Sequence, residues 1–118
     1  MASYQDTLLQ RTRSAIKSYN TNRTRLIKEA FEEGGQESVT ALEEEFIALN
    51  NAAFNLQRAK LKRNHRRYGA LLKEAAATVS EARSLITGSA SALAVLDGLG
   101  RAVTLIGRSL LILGAPPA

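Results

Sequence analysis

The residues best equipped for chemistry in this chain fall into four groups. They are a single histidine, two crowded runs of carboxylates, one dense basic run, and a polar stripe along an apolar segment. His65 lies inside Lys60–Gly69, "KLKRNHRRYG", beside Lys62, Arg63, Arg66 and Arg67. A catalytic or metal-binding imidazole needs a carboxylate or a second ligand nearby. Here the surrounding positive charge disfavours both a bound cation and the imidazolium, so His65 reads as a helix-surface residue. The acids of "EEGGQE" and "EEEF" are spaced closely enough for paired acid–base work, which requires one member buried in a cleft. Placed at a turn and a helix start, they instead suit the positive end of a helix dipole. There is no Ser-His-Asp pattern and no metal-ligand spacing, and "GSASA" lacks the lysine of a phosphate loop. We therefore expect no enzyme and no cofactor.

The basic run carries Lys60, Lys62, Arg63, Arg66 and Arg67, the residues expected to contact a polyanion if the chain binds one. Such binding would fall steeply with salt and would carry little sequence specificity. Tyr19 and Tyr68 are the aromatics available to stack on bases, although both sit near apolar positions where core packing serves them equally.

These groups must be held by helices. The 118 residues bound one domain, with 45% hydrophobic and 23% charged residues, a globular balance. Only 5% are aromatic and none is Trp, so the core is built from Leu, Ile, Val and Ala, as packed helices prefer. Cysteine is absent, which excludes disulfides and thiolate metal sites. Both prolines, Pro116 and Pro117, fall in the last three residues, leaving glycine as the punctuation.

The spacing of Leu8, Leu9, Ala15, Ile16, Tyr19, Leu26, Ile27, Ala30 and Phe31 predicts a helix over 4–33 of roughly 45 Å. Gly34-Gly35 supplies its cap and a turn. A helix over 39–67 follows, with Thr40 and Glu43 as a capping box and a heptad-like seam of Val39, Leu42, Phe46, Leu49, Ala53 and Leu56. Asn50 or Asn51 is a candidate register residue in that seam. Gly69 marks a break or kink. A third helix covers 70–87, through Leu71, Leu72, Ala75, Ala76, Val79, Ala82 and Ile86. After "TGSAS", with Ser89 or Ser91 as cap, a last helix covers 91–113, and 114–118 form a tail. The expected fold is all-α: an antiparallel helical hairpin extended into a three- or four-helix bundle with coiled-coil-like packing.

Closing the hairpin near residue 35 collects Glu29, Glu32, Glu33, Glu37, Glu43, Glu44 and Glu45 toward the turn. It brings Arg11 and Arg13 toward residue 58, where Arg58, Lys60, Lys62, Arg63, Arg66, Arg67 and Lys73 follow. A rod with opposite charges at its ends has three uses: solubility, self-assembly of acidic end on basic end, or phosphate binding. The net charge of +5 favours acidic partners without choosing among them.

The most apolar segment is "SALAVLDGLGRAVTLIGRSLLILG". Asp97, Arg101, Thr104 and Arg108 recur at intervals of four, three and four and form one narrow polar stripe, with an Asp97–Arg101 ion pair available. Gly100 and Gly107, one heptad apart, admit a close neighbour. One Asp and two Arg are costly at mid-bilayer, so a transmembrane span is disfavoured, and an interfacial membrane helix is the rival. We expect a homo-oligomer or partner-protein interface at Leu96, Leu99, Val103, Leu105, Ile106, Leu110 and Leu113. The N-terminal stretch lacks a continuous apolar run, so the expected compartment is the cytoplasm.

"NHRRYGALLKEAAATVSEARSLITG" followed by "LDGLGR" resembles the second half of flagellar export chaperones of the FlgN type, over about a third of the chain. The resemblance implies a small helical protein that hands a helix to a partner. The combined expectation is a non-enzymatic interaction or assembly protein, with nucleic-acid binding and membrane-surface binding as alternatives.

Overall fold

The computed structural model describes residues 4–59, 66–88 and 90–112. Three helices account for nearly all of them: α1 (Tyr4–Arg58), α2 (Arg66–Thr87) and α3 (Ala92–Ile112). The helix α1 is broken at Gly34 (φ −150°, ψ 15°) and Gly35 (φ 69°, ψ −160°), giving a first arm over 4–33 and a second over 36–58. Only glycine adopts the Gly35 conformation without strain. The arms fold back on each other, as Arg13 Nη2 donating to Gln57 Oε1 (2.8 Å) and Tyr19 Oη donating to Glu43 Oε2 (2.8 Å) require. The first arm then pairs with α2 in the same direction: Arg11 meets Ser80, Arg83 meets Ser18, and Arg25 meets the Ile86 carbonyl. The second arm runs alongside α3. The result is an up-down-up-down four-helix bundle measuring 44 × 25 × 18 Å.

The core follows the expected stripes. Leu8, Ala15, Tyr19, Leu26 and Ala30 of the first arm meet Leu42, Leu49, Ala52 and Leu56 of the second. The remaining walls are Leu72, Ala75, Val79, Ala82 and Ile86 of α2 and Val95, Leu99, Ala102, Ile106 and Leu110 of α3. Thr12 is buried too, its hydroxyl donating to the Leu8 carbonyl at 2.8 Å, so it sits in the core without an unmet hydrogen bond. Phe31, expected on the inner face, is 58% exposed, because it lies in the last turn before the break where the stripe runs out.

Helix ends are satisfied over long sequence distances. Gln5 Nε2 donates to the Leu56 and Ala59 carbonyls (2.6 and 2.8 Å), occupying acceptors that a helix terminus leaves free. The second arm thus ends at Arg58, not 67, and α2 starts at Arg66. Gly69 lies inside α2 rather than at a break. A Cβ there would stand 2.9 Å from the Tyr4 ring, so the glycine serves close packing. At α3, Ser91 Oγ accepts from Ala94 N (3.2 Å), as a cap should. Glu33 adds its carboxylate, accepting from Ala92 N (3.1 Å) and Leu93 N (3.3 Å), where the dipole favours an anion.

The capping box at Thr40 does not form, because the helix resumes directly after Gly35 and Thr40 lies within it. Glu43 instead clamps the hairpin. It accepts from Tyr19 and from Arg23 (Nε, 3.0 Å), while the Tyr19 ring stacks on Phe46 with centroids 4.0 Å apart. Burial, then the bond to Glu43, pushes the Tyr19 phenol well above its ordinary range. Hydrogen bonding from Arg23 holds the Glu43 carboxyl below its ordinary value. A depressed carboxylate contributes stability above its unfolded pKa, near 4.3, and that contribution is lost as pH falls through the folded value. Glu43→Gln should cost about 1 kcal/mol at neutral pH and flatten the acid limb of a stability-versus-pH curve below about pH 4. Urea titrations from pH 2.5 to 7 check this; an unchanged acid limb would refute it.

Candidate partner-docking face

The helix α3 carries the expected interface residues, and the bundle divides them. Leu99 and Ile106 are fully buried and Leu110 is 5% exposed, all in the chain's own core. These three are therefore unavailable to a partner of the folded chain. The reason is geometric: α3 contacts α2 on one side and α1 on the other, which consumes the flank that carries them. Leu96, Val103 and Leu105 are half-buried against the core edge. Leu113 falls outside the described residues, as do Lys60, Lys62 and Arg63. Arg66 and Arg67 form the first turn of α2, and their side chains lie outside the described residues.

Two grooves flank the open side of α3. The first is lined by Val103, Gly107, Leu110 and Leu111 of α3 and by Ala48, Asn51, Ala52 and Asn55 of the second arm. It is almost wholly apolar or small on the α3 side. A Cβ at Gly107 would meet nothing within 4 Å among the described residues, and Leu111 is 67% exposed. The Oδ1 of Asn55 is buried without a hydrogen-bond partner among the described residues.

The second groove lies nearer the hairpin turn, bounded by Leu96, Asp97, Gly100, Arg101 and Thr104 with Glu44, Glu45 and Glu74. The expected Asp97–Arg101 pair is present at 3.3 Å, and Arg101 also reaches Glu81 at 3.6 Å. All members are exposed, so this pairing is worth little in water.

Sequence reasoning missed the outer face of the second arm. Ile47 and Phe54 are 58% and 56% exposed, and Arg58 places its guanidinium 5.4 Å over the Phe54 ring. Helical spacing puts both residues one step around from the groove residues Asn51 and Asn55. The signal was there: Ile47 and Phe54 recur at seven residues but off the seam. Asn50 and Asn51, candidates for a buried register residue, are both exposed.

Among the described residues, no helix is long and apolar enough to cross a membrane, and no group of three or more metal-ligating side chains converges. The fold and this face define a class, an all-α four-helix bundle with, among the described residues, an apolar groove between its second and fourth helical segments. No known protein family, curated protein or solved structure matches the chain.

Proposed function

We propose that this chain is a non-enzymatic helical interaction protein, an assembly component or secretion-type chaperone of the cytoplasm. Its partner protein docks on the open edge formed by α3 and the second arm. The observation that carries this reading is the apolar groove at Gly107, unfilled among the described residues and lined by Leu111, with Ile47 and Phe54 farther round the second arm; all three are more than half exposed. Exposed large apolar side chains beside an apolar groove are a feature of docking surfaces, and a glycine with open space above it among the described residues lets a second helix approach closely. The mechanism is burial of apolar helix faces, without chemistry.

The test is a photoreactive benzoylphenylalanine at position 111 in the living cell, with irradiation and identification of the adducts by mass. A protein adduct is expected, whether to a second copy or to another protein. Gly107→Leu should reduce its yield at least tenfold by filling the groove, while leaving the melting temperature unchanged or raised, since leucine is the better helix former. No adduct, or one indifferent to Gly107→Leu, would overturn the proposal.

A further inference from the structure

The exposed side of the second arm has a chemical symmetry that points to one occupant. Glu44, Ile47, Asn51, Phe54 and Arg58 are all exposed and are spaced three, four, three and four. That is the spacing of a coiled-coil seam, yet this stripe lies on the exposed side of the arm, bordering the α3 grooves at Glu44 and Asn51, whereas the arm's buried seam uses Leu42, Leu49, Ala53 and Leu56. Read in either direction, the stripe runs charged, apolar, Asn, apolar, charged, and the two end charges are opposite.

We propose that this stripe pairs with the same stripe of a second copy, antiparallel, about a two-fold axis through Asn51. The axis sets Glu44 against Arg58 of the other copy at both ends and brings Ile47 within one residue step, about 1.5 Å along the helix, of Phe54 on both sides of the centre. Asn51 meets its counterpart on the axis. A parallel arrangement would oppose Glu44 to Glu44 and Arg58 to Arg58, so charge selects the antiparallel one. A lone asparagine in an otherwise apolar seam fixes register, and Asn51 takes that part between chains. The two-fold operation requires one self-complementary patch and closes at the dimer. The stripe spans about 21 Å, a short contact, so the dimer is expected to dissociate in the micromolar range or above. This inference deepens the docking role assigned to the open edge and rests on it, naming a second copy as the partner on the second-arm side.

The chain has no native cysteine, which makes the geometry directly testable. Asn51→Cys should give a covalent dimer with a short bis-maleimide, and Lys17→Cys, on the first arm, should not. In sedimentation equilibrium, Glu44→Arg and Arg58→Glu should each weaken the homodimer at least tenfold. Mixed together they should recover wild-type affinity, since both end pairs are then complementary, and the double variant should recover it alone. A wild-type chain that stays monomeric at millimolar concentration overturns the inference. So does a dimer that forms without the 51–51 link and ignores the charge variants. In either case an adduct from position 111 to a different protein leaves the docking role of α3 standing, and loss of that adduct as well removes both.

Discussion

Ile106→Asp unfolds the protein, whereas Leu111→Lys, five residues farther along the same helix, leaves it folded. Ile106 has no exposed surface, and Leu111 is 67% exposed. Removing the isoleucine forfeits about 2 kcal/mol of apolar burial, and an aspartate in its place must ionise without a partner or be forced neutral, at a further cost of several kcal/mol. The sum reaches or exceeds about 5 kcal/mol, the lower end of the total stability of a small domain. The expected result is loss of most far-ultraviolet helical circular dichroism at 25 °C, or a non-cooperative melt. Leu111→Lys removes little buried area, and a cation in the last turn complements the helix dipole, so its melting midpoint should move by no more than a few degrees. If Ile106→Asp melts cooperatively near the wild-type temperature, α3 is not part of the core as described.

That contrast shows how far a sequence pattern can reach. Periodicity identifies residues that share a face: Leu96, Leu99, Val103, Ile106 and Leu110 do share one flank of α3. It does not say which part of the flank turns inward, because that depends on the rotation of the helix against two neighbours distant in sequence. The turn at Gly34-Gly35, the inner stripes of both arms, the Ser91 cap and the Asp97–Arg101 pair were legible because each depends on residues within a turn or two. The satisfiers Gln5, Glu33 and Glu43 were not, since their partners lie 20 to 60 residues away. Ile47 and Phe54 belonged to a second stripe on a helix whose first stripe already explained its amphipathicity. Arg13 did turn toward Gln57, as the closed hairpin required, but Arg11 turned to Ser80 of α2, a helix whose position the hairpin alone does not set.

The break itself supports the second large effect. Joint replacement of Gly34 and Gly35 by alanine should convert the bundle that one chain closes on itself into a domain-swapped dimer. Gly35 occupies a conformation that a Cβ-bearing residue pays about 1–3 kcal/mol to adopt, and each alanine favours a continuous helix by up to about 1 kcal/mol over glycine. At Gly34 a Cβ would also collide with the Ser38 side chain in the bent form. With the full alanine preference at both positions, these terms shift the bent-to-straight equilibrium by about 3–5 kcal/mol, a factor of roughly 150 to several thousand. A straight α1 of 55 residues would be about 82 Å long, far beyond the 44 Å of the bundle. It cannot cover its own apolar stripe, so Leu42, Leu49 and Leu56 must find the first arm of another chain. Exchange of identical elements restores every core contact between two copies, and the enthalpy of the core is retained while the strain at the turn is removed. Light scattering coupled to sizing should show a dimer that persists at low micromolar concentration, and small-angle scattering should give a maximum dimension near twice that of the wild type. The swapped dimer must also survive Glu44→Arg, which acts only on the outer stripe of the second arm. Were the double-alanine chain to remain a compact monomer of wild-type stability, the conformation at Gly35 would not be what bends the hairpin.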